Sequence, residues 1–207
     1  MIRIILFWLK KVNIMKTFYY SLKFKGPIIC GKCSITVRGG GKIRLTKGAK
    51  LYVGINYSYP VPAVLDIYQG VLSINGQVSI NRGCKVRISK NATLEIGNGT
   101  FINEGAKIYC EEGIKIGENC AIAFDAKLLD TDIHKIFRKG EHINKNLSVV
   151  IGDKVWIGAN SVVLKGTEIE SNTIIGANTL VRGKCNSCNI YAGNPGHIIT
   201  EFNNWEI

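Results

Sequence analysis

The sequence predicts an all-β solenoid wound from short parallel strands, and three observations carry that prediction. An aliphatic residue returns every six positions, at Ile151, Ile157, Val163, Ile169, Ile175 and Val181. A small or β-branched residue stands two positions ahead of each from Ile157 on, at Val155, Ser161, Thr167, Thr173 and Thr179. Three positions after four of the aliphatics come Asn160, Gly166, Asn172 and Asn178, residue types that tolerate the positive φ of a sharp corner. A helix would space apolar residues by three and four, and an ordinary strand by two. A period of six with one corner per unit fits the hexapeptide type of parallel β-helix, in which three units make one triangular coil.

Residues 1–25 carry several basic residues, no acidic one, and a mixture of aliphatic and aromatic side chains. The apolar run from Ile4 to Leu9 is short for a secretory core, and no small-residue cleavage site follows it. One or two short amphipathic helices are expected here. They would cap the open end of the solenoid, where strand edges and apolar residues need cover; a cationic anchor on anionic lipid is the alternative.

Residues 26–70 contain β-type fragments at 43–45 and 51–53 but no regular spacing. The period sets in with Ile74, Ile80, Val86 and Ala92. It shifts phase to Ile96, Ile102, Ile108 and Ile114, then to Ile116, Ile122 and Leu128. Residues 131–148 lack repeat character and are expected to loop out of the coil; structureless loops of that length tend to be functional. The solenoid domain is thus expected over 26–199. A Gly/Pro elbow and a tail over 200–207, ending near Trp205, would pack on its outside.

Composition narrows the partners. With 27 Lys and Arg against 15 Asp and Glu, the chain carries a net charge of +12, which calls for an anionic partner. The basic residues are spread along the chain without a nucleic-acid motif, so no nucleic acid is expected. No apolar stretch is long enough to span a membrane. Seven cysteines include two CxxC pairs, Cys30/Cys33 and Cys185/Cys188. Four thiolates could hold zinc, but a solenoid of roughly nine coils sets the pairs ~40 Å apart. Cys84 and Cys120 fall at the small inward position and read as core. Free thiols suit a reducing, cytoplasmic setting.

The segments IGDKVWIGAN, IIGANTLV and AGNPGHII resemble the C-terminal half of the hexapeptide acyltransferases. The likeness is greatest to sugar O-acetyltransferases, including those of bacterial polysaccharide synthesis and the galactoside and maltose acetyltransferases. It is specific from about Phe101 to Ile199. The resemblance implies a left-handed coil, against the usual right-handed rule for parallel crossovers. It also implies a homotrimer with active sites in the grooves between prisms, acetyl-CoA as co-substrate, a sugar or glycan acceptor and no required metal. The setting would be cytoplasmic, or peripheral at the inner membrane face if residues 1–25 bind lipid.

Acetyl transfer to an alcohol needs a base near neutral pKa. His134 lies in LLDTDIHKI, where the resembling enzymes place their catalytic histidine at the mouth of the loop, and Asp130 or Asp132 would orient its ring. Asn103 is expected to hydrogen-bond the acceptor beside the base. Trp156 points outward and would stack on a ligand or brace a neighbouring subunit. Gly158–Ala159 and Gly176–Ala177 would let the pantetheine arm lie against the backbone, with corner N–H groups available to the thioester oxygen. Arg182 and Lys184 would meet the coenzyme phosphates. His142 is expected to be a bystander in the same loop. An N-acetyltransferase of an amino sugar, a non-catalytic solenoid and a metal-dependent carbonic anhydrase on the same fold are the rival readings; two histidines eight residues apart disfavour the last.

Overall fold

Short strands stack into a triangular prism. The computed structural model describes residues 11–55 and 60–206, so the run Ile4–Leu9 lies outside the described residues. Three sheets form the faces. The first face stacks nine strands, from Ile28–Cys30 to an antiparallel last member, Gly196–Glu201; the second and third stack seven each, starting with Cys33–Arg38 and Lys42–Leu45. Successive strands visit the faces in turn, so each strand's parallel neighbour is a full coil away.

The six-residue rule is visible in the register. Ile80, Ile102, Ile122, Ile157 and Ile175 stack directly on the first face, and Ile108, Leu128, Val163 and Val181 on the second. All are buried. The small inward residues are buried too, and their hydroxyls find partners: Ser161 donates to the Gly176 carbonyl at 2.7 Å and Thr173 to that of Glu170 at 2.7 Å. Asn160, Gly166, Asn172 and Asn178 all have φ between 55° and 71°, as corners demand.

Coiling begins at Ile28, within the span expected for the solenoid although before its regular period, with Leu51 stacked on Ile28 and Val78 on Leu51. The early coils hide the period because their strands vary in length: Cys33–Arg38 and Ala63–Tyr68 have six residues, while later strands have two. Ala92 is not a strand aliphatic; it takes the small inward place two residues before Leu94, which stacks between Leu72 and Ile114.

The helix Ile14–Lys23 covers the first coil. Its Asn13 N-cap accepts from Lys16 N at 2.9 Å, a typical helix start. Thr17 Oγ1 accepts from Cys30 N at 3.0 Å, Ser21 Oγ from Ile28 N at 3.0 Å, and Tyr20 donates to the Ile35 carbonyl at 3.1 Å. These bonds satisfy strand-edge groups that no further coil could reach. Tyr20 and Phe24 pack on the core, while Ile14, Met15, Phe18, Tyr19 and Leu22 remain exposed. No helix among the described residues is long and apolar enough to cross a membrane.

The outer columns give each face its own character. The first carries Phe101, Ala121, Trp156, Ile174 and Ile190 in register. The third alternates in sign, with Glu95 beside Lys115 and Glu168 beside Lys184. The second sets Lys85, Lys107 and Lys127 on successive rungs. Neighbouring ammonium groups a rung apart repel by about 1 kcal/mol even in water.

Counted along the first face from Ile28–Cys30 to Asn189–Gly193, seven rungs and not nine separate the coils of the two cysteine pairs, or ~34 Å at the usual strand spacing. Their separation still exceeds ligand reach, and no cluster of three or more metal-ligating side chains occurs among the described residues.

Candidate active site

Among the described residues the widest opening of the coil lies between the strands Lys127–Leu129 and Val149–Ile151. The chain leaves the edge between the second and third faces after Asp130 and is back by Leu147, whose N–H donates to the Asp130 carbonyl at 3.1 Å. The excursion is not structureless. Phe137–Arg138 and Glu141–His142 form a small antiparallel ladder turned by Lys139 and Gly140 at φ 52° and 82°, the two-residue hairpin geometry that positive φ at both positions produces.

His134 is exposed at the base of this excursion. It lines an open cleft of about 480 Å³ with Glu111, Glu112, His142, Asn144 and Asn146 among the walls. The histidine backbone is tied on both sides: its N–H donates to the Asp132 carbonyl at 2.7 Å and its carbonyl accepts from Asn144 Nδ2 at 2.8 Å.

Asn144 organises the loop. Its Nδ2 also donates to Asp132 Oδ2 at 2.8 Å, and its Oδ1 accepts from Ile136 N at 2.6 Å. Lys165, on the next coil, donates to both Asp132 Oδ2 and the Asn144 carbonyl. The Lys165 ammonium, with the Asn144 amide beside it, holds the Asp132 carboxyl below the usual carboxylate range.

The two aspartates therefore take other tasks than the expected grip on the ring. Asp130 is fully buried, and its carboxylate accepts from the N–H groups of Glu111, Glu112 and Gly113 at 2.8–2.9 Å. It closes a corner of the coil. Asp132 fixes the backbone around His134 through Asn144. Asn144 and Lys165 were not legible as site residues: one lies in a segment without periodicity, and the other fills an ordinary corner slot.

A second cleft, of about 270 Å³, lies where the first face meets the second. Phe101, Asn103, Ala121, Ala123, Phe124, Trp156 and Trp205 line it. Trp156 is 43% exposed; its ring centroid is 6.0 Å from that of Trp205, whose indole N–H donates to the Lys154 carbonyl at 2.8 Å. The tail thus packs on the outside, but its last strand begins at Gly196, inside the span assigned to the coil. Asn103 Oδ1 accepts from Asn81 Nδ2 at 3.1 Å.

Gly158 and Gly176 stand on that same edge. A Cβ on Gly158 would meet Ala177 N and Gly176 C at 2.6 Å, so stacking of the coils alone requires glycine there. Their N–H groups are committed, to the Ile175 and Tyr191 carbonyls at 2.7 Å. The residues that follow them, Ala159 and Ala177, are half-buried and exposed respectively.

Within one chain the expected site residues are therefore divided. Asn103, Gly158, Ala159, Gly176 and Ala177 belong to the first edge, with Trp156 on the first face beside it; His134, Asp132 and Arg182 belong to the second, with Lys184 opening a third-face strand just beyond it. On one prism Gly158 and Lys184 stand on opposite sides of the second face. Lys184 is also engaged, at 2.7 Å to Glu170, whereas Arg182 is exposed and has no ion-pair partner among the described residues. His142 shares the cleft of His134, its ring centroid 5.6 Å from that of Phe137.

Residues 148–183 match the family model for the bacterial transferase hexapeptide, six repeats. Over 89 residues the chain is 35% identical to a polysialic acid O-acetyltransferase of Neisseria meningitidis, covering 42% of this chain and 41% of that protein. It is 30% identical to a galactoside O-acetyltransferase of Escherichia coli K12, covering 57% and 59% respectively. The chain thus spans about two fifths of the first relative's length. Among solved structures, the polySia-specific acetyltransferase NeuO superposes with a TM-score of 0.61 at 25% identity, over 85% of this chain and 89% of that one. The coil is the left-handed parallel β-helix that the resemblance implied.

Proposed function

From a chain that carries the bacterial transferase hexapeptide repeat on a left-handed β-helix, we propose an acetyl-CoA-dependent O-acetyltransferase acting on a sugar hydroxyl. Relatives named for O-acetyl transfer to galactosides and to polysialic acid support that class. The single observation that carries the reading on this chain is the placement of His134. It stands at the widest opening of the coil among the described residues, where it lines an open cleft with its backbone clamped.

His134 acts as general base. Its imidazole takes the proton of the acceptor hydroxyl as the oxygen attacks the thioester carbon. The carbon–sulfur bond breaks, and the imidazolium returns the proton to the departing thiolate. No acyl-enzyme intervenes, because neither a cysteine nor a serine is among the residues that line the cleft of His134. The N–H groups of Ala159 and Ala177 are the donors for the developing oxyanion.

A homotrimer completes the site. Edges that lie apart on one prism come together when the first edge of one copy faces the second edge of the next. Closed cyclic assembly repeats that contact three times. The aromatic cleft around Trp156, with Asn103, then joins the cleft of His134, and Arg182 supplies charge for the coenzyme phosphates.

Measuring acetyl transfer from acetyl-CoA to a panel of hydroxyl and amino sugars tests the class and separates O- from N-transfer. His134→Ala should lower kcat roughly 10²–10⁴-fold with little change in acetyl-CoA affinity. His142→Ala, in the same cleft, should cost far less. Retention of more than about a third of the activity in His134→Ala, where a positioned base is worth at least ~10², would remove the histidine from the mechanism.

A further inference from the structure

We infer that the second face binds an acidic glycan chain, whose repeated carboxylates follow the row Lys85, Lys107 and Lys127. This deepens the proposed function, and rests on it in one respect: the bound chain is taken to be the acceptor.

The row is built by register. Lys107 pairs with Lys85 on one side and Lys127 on the other, so three lysines repeat at the strand spacing along the prism axis. Lys85 is exposed, and Lys107 and Lys127 are partly so. Arg87, two residues beyond Lys85, adds a fourth cation on the same face. Its register neighbour Asp66 is already held by Arg38, at 2.9 and 3.1 Å. The ion pairs among the described residues involve Arg38, Lys165 and Lys184, and none involves Lys85, Arg87, Lys107 or Lys127.

The contrast with the third face is what gives the row meaning. There, cross-strand neighbours alternate in sign, as the stability of a sheet favours. The second face instead stacks like charges, which self-repulsion opposes unless an anion bridges them. One carboxylate would need one lysine; a regular row fits a polymer that repeats its charge. A lipid surface presents a plane of phosphates and takes apolar side chains with it, whereas these cations lie in a line on a flat strand face. The row also stops where chemistry begins. Lys127 opens the strand Lys127–Leu129 that leads into the His134 loop, and the next two rungs carry Val162 and Leu180.

Binding is measured without acetyl-CoA, so failure of the transfer reaction leaves the result standing. The probes are polygalacturonate and polysialate chains, fully methyl-esterified polygalacturonate as the uncharged control, and phosphatidylglycerol–phosphatidylcholine vesicles. The full-length chain should bind the acidic polymers and ignore the methyl ester. The triple variant Lys85→Gln, Lys107→Gln, Lys127→Gln should bind them about ten-fold or more weakly and with a shallower salt dependence. The triple Lys→Arg variant, which keeps the charge, should bind like the parent and guards against a folding artefact. Undiminished binding by the Gln variant overturns the proposal. So does a parent protein that binds neither acidic polymer, or one whose row-dependent binding is confined to vesicles.

Discussion

Around His134 the decisive residues hold the backbone and leave the ring open. Asn144 makes three side-chain bonds to the loop, and Lys165 anchors it to the next coil. Lys165→Met should therefore loosen His134 and lower kcat about ten-fold or more, since small misplacements of a reacting group are costly. Binding of acetyl-CoA should change little. The pH sign follows from Asp132, whose folded carboxyl is held below its ordinary value. Its tie to Lys165 is fully present above the unfolded carboxylate pKa and is lost as pH falls through the lower folded one. Proteolysis of the loop, measured down a pH series, should therefore accelerate only in acid, and Asp132→Asn should abolish that dependence. A loop cut equally fast at all pH values in the parent would show that the tie does not hold it.

The cysteines make a second prediction at this scale. Six of the seven are buried and one, Cys188, is exposed. Native alkylation near neutral pH should label Cys188 alone and leave transfer intact. Rapid labelling of Cys84 or Cys120, or loss of activity with the first label, would contradict both their burial and the direct-transfer reading.

Among the elements, the helix Ile14–Lys23 is a cap by its bonds and something more by its surface. Thr17→Val leaves the Cys30 N–H without its acceptor and should destabilise the first coil by about 1–2 kcal/mol, read as earlier hydrogen exchange at Ile28–Cys30. Deleting residues 1–20 should lower the melting temperature in lipid-free buffer. If the deletion leaves stability unchanged but abolishes sedimentation with anionic vesicles, the segment is an anchor and not a cap.

The helix and the loop also show how far the sequence can be read. Ile151 to Val181 repeats a single unit, and its corners, small inward residues and stacked aliphatics all follow from the period. From Ile28 to Tyr68 the same fold is present without the same signal, because strands of three to six residues shift the phase on every face. The hairpin within 131–148 has its turn at Lys139–Gly140, but two-residue strands are too short to show alternation. Asp130 and Asp132 were both plausible partners for the histidine by proximity in the chain. Which carboxylate closes a corner depends on coil stacking, and that is invisible to local sequence.

For the whole molecule, the account turns on a site made from two edges that one prism keeps apart. Subunit mixing tests this most directly. His134→Ala removes the base from the second edge. Ala177→Trp, at an exposed corner position, obstructs the first edge without entering the core. Each variant alone should be nearly inactive. After co-refolding in equal amounts, roughly a quarter of the contacts between copies should join two intact edges, and activity should return in that proportion. A mixture of demonstrably mixed oligomers that stays as inactive as its parents would contradict the account.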